Sequence, residues 1–476
     1  MRKRYNIFTR LDPVCVGIFL LLTLIGWISI YASAYSEEHA SIFDLSQRYG
    51  MQLVWIATSL VLAVVVLLTS HKFFSVLAYM IYGAIMLLLV FVLVAGVEVN
   101  GSRSWFIIGS MRLQPAELAK VATALALARL MCQHHFSLKK PRNIFMVSAL
   151  ILLPVGLILL QKDTGSALVF ASLLLMLYRE GLSGWVIGIA GFCTLLFILS
   201  IIWQPVSVLL FIWVICMILF LLLHRSKYEA LMVAIASIGG YFLLSLYLLP
   251  ALQFPVDNYY LFLGICTTTL IVEGIIAVRK KLRYFWLILL LFFCSVAVTS
   301  SVDYVYDRVL QPHHRDRIED MLGLKDDLQG VGYNVHQSKV AIGSGGLTGK
   351  GFLQGTQTKY NFVPEQSTDF IFCTIGEELG FAGALIVIAL YVWLLLRILE
   401  ISERQRDTFA RIYGYCVVSI FSFHIFVNIA MTIGLAPVIG IPLPFISYGG
   451  SSLWAFTILL FILLKLDAVK WAYNNS

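Results

Sequence analysis

Apolar runs of about twenty residues recur almost end to end along this chain, and most charged side chains fall in the gaps between them. A helix of that length crosses about 30 Å of hydrocarbon while satisfying its own backbone groups, which water cannot do there. Only 13% of the 476 residues are charged and 60% are hydrophobic, with a mean hydropathy of +0.89. Soluble domains carry about 25% charged residues. The predicted fold class is an all-α polytopic membrane protein. Spanning segments are expected near 13–33, 51–70, 74–97, 116–133, 143–160, 165–180, 184–203, 205–223, 229–249, 258–277, 284–301, 371–396, 412–436 and 446–467, about fourteen crossings. Arg2, Lys3, Arg4 and Arg10 precede the first run, and no small-residue cleavage site follows it, so it reads as a first transmembrane helix rather than a cleaved signal.

The net charge of +8 raises nucleic acid as a partner, and the positions of the cations exclude it. Lys72, the cluster Lys139, Lys140 and Arg142, then Arg225 and Lys227, Arg279 to Arg283, and Arg397 to Arg411 all sit between runs. With these loops and both termini cytoplasmic, an even number of crossings separates each pair, as the positive-inside rule requires. The outer loops are then 34–50, 98–115, 161–164, 250–257, 302–370 and 437–445. The eight cysteines lie in or beside apolar runs without CxxC spacing, so free thiols are expected, with neither a disulfide framework nor a zinc site.

Loop 302–370 is far longer than ordinary connections, which marks it as functional or disordered. Its Tyr304, Tyr306, Tyr333, Phe352, Tyr360 and Phe362, with the run Val340-Ala341-Ile342, favour packing over disorder. Three clusters in it carry candidate chemistry. Asp326-Asp327 beside Gly330 and Gly332 offers a carboxylate fit for a general base, and reads more simply as an Asx turn. Gln337-Ser338-Lys339, followed by the glycine-rich stretch to Lys350, offers backbone N–H groups and two cations for phosphate oxygens. Its spacing is not that of a Walker A loop, and a plain glycine-rich turn stays open. Glu365 and Asp369 lead into a helix that carries Glu377 and Glu378. Carboxylates at membrane depth point to a site facing the protein interior, and a helix cap explains Asp369 equally well.

Outside that loop, Arg103 lies near Trp105, and Glu117 and Lys120 are three apart on one helical face, as in an ion pair. Asp163 sits at another membrane edge, where it could equally cap a helix. Pro437, Pro442 and Pro444 break the backbone ahead of Ser447 at membrane depth, which requires that it line a cavity or be buried in protein.

These residues closely resemble the SEDS family of bacterial cell-wall polymerases, in its elongation (RodA) branch rather than its division (FtsW) branch. The resemblance rests on GxGYxxxQSKxAIGSGGLxGKG from Gly330 to Gly351, GTQxxxxFxPExxTDFIF from Gly355 to Phe372, EELG from Glu377, PxxGIPLPFISYGGSS from Pro437, and WFxxGxxxxQPAELAK from Trp105 to Lys120. It implies a SEDS-type bundle of ten core helices. Residues 1–203 would hold the first seven, 204–301 about four inserted ones, 302–370 the extracytoplasmic catalytic loop and 371–476 the last three.

The resemblance further implies a peptidoglycan glycosyltransferase that polymerises lipid II at the outer face of the bacterial cytoplasmic membrane during elongation and shape maintenance. Its essential aspartate, from an Asp-Pro-x-Gly-x-Gly-Tyr motif, falls on Asp327, with Leu328 in place of the proline. Substrate contacts are expected from Arg103, Glu117, Lys120, Asp163, Gln337, Ser338, Lys339, Lys350, Glu365, Asp369 and Ser447. A divalent cation, magnesium or manganese, would be a second stabiliser of the diphosphate; carboxylates at Asp327 and Glu117 do not establish it. The implied partners are a class B penicillin-binding protein and elongation-complex membrane proteins. Two rival readings are a lipid II flippase, which needs no base at the outer surface, and a non-catalytic scaffold that activates the penicillin-binding protein.

Overall fold

The computed structural model describes residues 10–35, 41–99, 101–109, 111–223, 227–248, 257–281, 285–304, 306, 308, 312–324, 332–360 and 362–473. The chain divides into two compact units, Met1–Ser183 with Asp326–Ser476, and Gly184–Lys325. In chain order the first unit opens with α1 (Pro13–Ala34), α2 (Arg48–Leu68), the short α3 (His71–Val76) and α4 (Ala78–Ala95). Three short strands follow, β1 (Val97–Val99), β2 (Ser102–Ile108) and β3 (Met111–Leu113), then α5 (Pro115–Met131), α6 (Pro141–Leu160), α7 (Thr164–Val169) and α8 (Leu173–Arg179). The second unit holds α9 (Gly184–Ile202), α10 (Pro205–Leu223), α11 (Lys227–Leu243), α12 (Asn258–Arg279), α13 (Phe285–Tyr304) and α14 (Pro312–Met321). The first unit resumes with α15 (Tyr333–Ser344), α16 (Thr356–Lys359), α17 (Ile371–Glu403), α18 (Thr408–Thr432) and α19 (Gly450–Tyr473).

Among the described residues, each segment expected to span contains helix. Eleven of the described helices are long and apolar enough to cross a membrane, and Thr164–Arg179 and Leu231–Leu246 are shorter apolar helices. This is a multi-pass helical membrane protein. Unit boundaries fall differently from the expected blocks: α9 packs with the second unit, and the 302–370 stretch divides after Lys325. The all-α expectation also lacked the small antiparallel sheet, in which Val99 pairs with Ser102 and Phe106 with Leu113. Val99 and Ser102 leave only Asn100-Gly101 between them, a sequence typical of two-residue hairpin turns.

Local chemistry sets the helix starts. Asp12 caps α1 by accepting from the Cys15 N–H at 3.1 Å, and Pro13 occupies the first turn, where its missing N–H costs nothing. The core of the first unit lies around α5, α18 and α19, whose side chains are mostly buried. There Phe445, from the proline-broken segment before α19, packs edge-on to Phe19 at 5.0 Å and tilts against Phe421 at 5.5 Å. Helix α17 is interrupted at Gly380, whose φ of 65° and ψ of −162° only glycine adopts readily.

The polar contacts of the first unit gather at the two ends of its helices. At one end Arg397 pairs with Asp12 at 2.7 Å, Arg404 with Asp467, Arg179 with Glu403 at 2.7 Å and Arg411 with Glu180 at 3.0 Å. At the other end lie 41–50, the sheet, 161–166, 332–360, 362–370 and 433–449.

Candidate functional site

Helix α18 presents His424, Asn428 and Thr432, four residues apart and therefore on one face, and all three are fully buried. Each holds a different part of the site. The Lys120 ammonium lies 2.8 Å from Glu117 Oε2 and 2.9 Å from His424 Nε2. An ammonium can only donate, so Nε2 accepts and the imidazole carries its proton on Nδ1, 3.1 Å from the Pro442 carbonyl. Asn428 Nδ2 donates to the carbonyls of Asp369 at 2.9 Å and Ile441 at 2.7 Å. Ser338 Oγ donates to the Thr432 carbonyl at 2.9 Å. The polar stripe thus ties α5, the 369 region, α15 and the proline-broken segment into one assembly.

Other expected residues join it. Asp163 caps α7 through the Ser166 N–H at 3.0 Å and also accepts from Gln114 Nε2 at 2.8 Å. A side chain at Gly165 would meet the Ile439 carbonyl, so this turn packs directly on the proline-broken segment. Ser447 Oγ donates to the Thr368 carbonyl at 2.6 Å and accepts from the Leu443 N–H at 2.8 Å. Lys339 is exposed, and its side chain lies over Gly434, where a Cβ would collide with Cε and Nζ. Gln337 is half-buried on α15. Arg103 is exposed on β2, with its backbone N–H donating to the Gln161 carbonyl at 3.0 Å.

The glycine-rich stretch after α15 is built by carboxylates. Glu377, fully buried, accepts from Lys350 Nζ at 2.7 Å and from the N–H groups of Gln357 and Thr358, both at 2.9 Å, thereby capping α16. Glu378 accepts from the Leu353 N–H at 3.1 Å. Gly349, with φ of 81°, packs so closely on the Glu378 carbonyl that any Cβ would overlap it. Lys350 is therefore spoken for within the fold, its charge offset before any ligand arrives. Glu365 stands apart from this cluster, facing Arg48 at 3.8 Å.

Asp326 and Asp327 lie outside the described residues. Among the described residues no group of three or more His, Cys, Asp or Glu side chains could hold a metal ion. Glu117, the described member of the expected cation pair, is engaged by Lys120 at 2.8 Å, and no step below runs through a cation.

Arg48, His424, Asn428 and Gln366 were not read from the sequence. The signal for two of them was available, since polar residues at a spacing of four inside an apolar helix mark one functional face. Gln366 donates from Nε2 to the carbonyls of Ser33 and Thr358, both at 2.8 Å, a pairing that only tertiary structure reveals.

Comparison with known proteins decides the family. The FtsW/RodA/SpoVE family, described as cell cycle protein, matches residues 13–213 and 261–471. The chain belongs to this family. The unmatched stretch is 214–260, while 204–213 and 261–301, also expected as inserted, lie within the match. Relatives include peptidoglycan glycosyltransferase RodA of Treponema pallidum, 33% identical with 96% of this chain and 97% of that protein covered. Peptidoglycan glycosyltransferase MrdB of Escherichia coli is 30% identical, covering 93% and 90%. A probable FtsW of Trichlorobacter lovleyi is 25% identical, covering 98% and 96%. Among solved structures, Thermus thermophilus RodA superimposes with a TM-score of 0.55 at 22% identity, covering 97% of this chain and 98% of that one. A chain of a peptidoglycan synthase complex, studied for coordination of polymerization and crosslinking, reaches 0.59 at 23% identity, covering 96% and 97%.

Proposed function

We infer that the chain is a peptidoglycan glycosyltransferase of the elongation type, polymerising lipid II. The observation that carries this reading is the match along 96% of the chain to a protein named peptidoglycan glycosyltransferase RodA. The assembly around α18 supports it, because it joins the QPAELAK, QSK, TDF and PLPFIS segments at one end of the helices. That end is taken as the outer face of the bacterial cytoplasmic membrane, with both chain termini inside, in keeping with the basic loops.

In this reading Asp327 is the general base. It takes the proton from the 4-hydroxyl of the acceptor sugar as that oxygen attacks the anomeric carbon of the donor, and undecaprenyl diphosphate leaves. A single displacement inverts the α-linked donor into a β-linked polymer. Lys339 and Arg103, exposed at the same end, stabilise charge developing on the diphosphate. Lys120 and Lys350, each held in a buried or half-buried ion pair, position the surrounding backbone instead. Gln337, Asp163, Glu365, Asp369 and Ser447 shape the sugar and diphosphate contacts. We assign 204–301 to helices added to a ten-helix core, and a class B penicillin-binding protein, with elongation-complex membrane proteins, as partner.

The test is polymerisation of labelled lipid II by the purified chain with its cognate class B penicillin-binding protein, transpeptidation blocked. Glycan ladders digestible by muramidase are expected. Transfer of lipid II across a vesicle bilayer without polymer would instead favour a flippase.

A further inference from the structure

A cavity of about 390 Å³ opens between the end of α1, the start of α2 and segment 363–367. It is of ligand size, since small-molecule sites run from about 300 to 1,000 Å³. Its polar lining mixes amides, hydroxyls and one charge pair: Gln47, Gln366, Ser33, Ser367, Arg48 and Glu365. Pro364, Val363 and Ala34 add apolar surface. Beside it, at the end of α1, Tyr31 stacks on Phe352 at 6.3 Å and meets Tyr49 edge-on at 5.0 Å.

The charged pair is held from behind. Arg48 Nη1 donates to Ser367 Oγ, and Thr368 Oγ1 donates to Glu365 Oε2 at 3.1 Å. The two groups stand 3.8 Å apart with about half of each side chain exposed, 48% and 51%. Glu365 also adopts a φ of 50°, a left-handed conformation that an L-residue enters at a cost and that clusters at ligand sites. The backbone holds the residue there, since the Glu365 carbonyl accepts from the N–H groups of Thr368 at 3.1 Å and Phe370 at 3.3 Å. A diphosphate would require surplus positive charge, whereas Glu365 offsets Arg48. Donors and acceptors set among apolar patches suit a ligand with hydroxyl and acetamido groups and apolar ring faces.

We propose that this cavity is a saccharide subsite, in which Arg48 and Glu365 grip an amino sugar of the growing glycan strand. The proposal rests on the polymerase reading for the identity of the strand. The cavity is continuous along the chain with the catalytic assembly, because Ser367 accepts at its carbonyl from the Tyr448 N–H at 2.8 Å and Thr368 from Ser447 at 2.6 Å. A sugar held here is carried by the same backbone that frames the reaction.

The experiment is equilibrium binding of chitotetraose, a lipid-free β-linked amino-sugar tetramer, to the full chain in detergent, with inorganic pyrophosphate as competitor. Saturable binding is expected for the wild type, weakened roughly tenfold or more by Arg48→Ala, as loss of a charge-assisted hydrogen bond implies. Gln47→Trp, at a half-buried lining position, fills the space and abolishes binding, and it carries the test should Arg48→Ala fail to fold. Absence of binding, equal binding by the wild type and both variants, or displacement by pyrophosphate overturns the subsite. Lipid II turnover of the wild type, measured alongside, separates the two readings. Turnover without Arg48-dependent binding removes the subsite and leaves the polymerase. Arg48-dependent binding without turnover removes the polymerase and leaves a saccharide site.

Discussion

His424 shows how one buried side chain organises the assembly. Its Nε2 is the only described neutral acceptor for the Lys120 ammonium, and its Nδ1 proton holds the Pro442 carbonyl. Replacing it by alanine leaves the buried Lys120 ammonium with Glu117 as its one remaining described partner and removes the donor to the half-buried Pro442 carbonyl, at a cost of about 1–3 kcal/mol. We predict that His424→Ala lowers the detergent melting temperature and the rate of lipid II polymerisation together. An unchanged melt would show that the network does not bear on the fold. Glu377 makes a parallel case. Glu377→Gln keeps the shape of the side chain but removes the charge facing Lys350 and one acceptor for the N–H groups of α16. Limited proteolysis of the variant should cut between Gly345 and Tyr360, where the wild type resists.

At the scale of elements, the turn between α15 and α16 is locked against the kink in α17 by two glycines. Gly380 has positive φ, and a Cβ there would strike the Gly349 backbone N, while a Cβ at Gly349 would strike the Glu378 carbonyl. Gly380→Ala is therefore expected to destabilise by at least about 2 kcal/mol, from left-handed strain and overlap, read as a loss of melting temperature. A neutral substitution would mean that the kink relaxes freely. The spanning helices themselves were legible in the sequence, because length and hydropathy alone decide what can cross a bilayer. The sheet at 97–113 was not, since its strands are short and do not show the alternation that marks longer strands. The ion pair of Glu117 and Lys120 followed from a spacing of three. The pairing of Lys350 with Glu377, 27 residues away, had no local signal, so Lys350 read as a free cation.

For the molecule as a whole, the end opposite the candidate site is a belt of ion pairs that ties the start of α1 to α17 and α19. Burial raises the pKa of Asp12, but hydrogen bonds from Arg397 and the Cys15 N–H, with the charges of Arg397 and Arg404, outweigh it and leave the pKa below the ordinary 3.8. A lowered carboxyl contributes stability that is fully present above pH 3.8 and is lost as pH falls through the folded-state value. Melting temperature should therefore decline below about pH 4, and Asp12→Asn should be less stable at neutral pH with a flatter profile in that interval. Equal slopes would remove Asp12 from the account. All eight cysteines are free thiols, so a reducing agent should leave the melt unchanged; a shift would reveal a disulfide. The most direct test of the central claim compares initial rates of lipid II polymerisation by the wild type, Asp327→Asn and Asp326→Asn, each with the same partner and each verified as folded. The account predicts near-complete loss for Asp327→Asn alone, whereas retained activity there would contradict it.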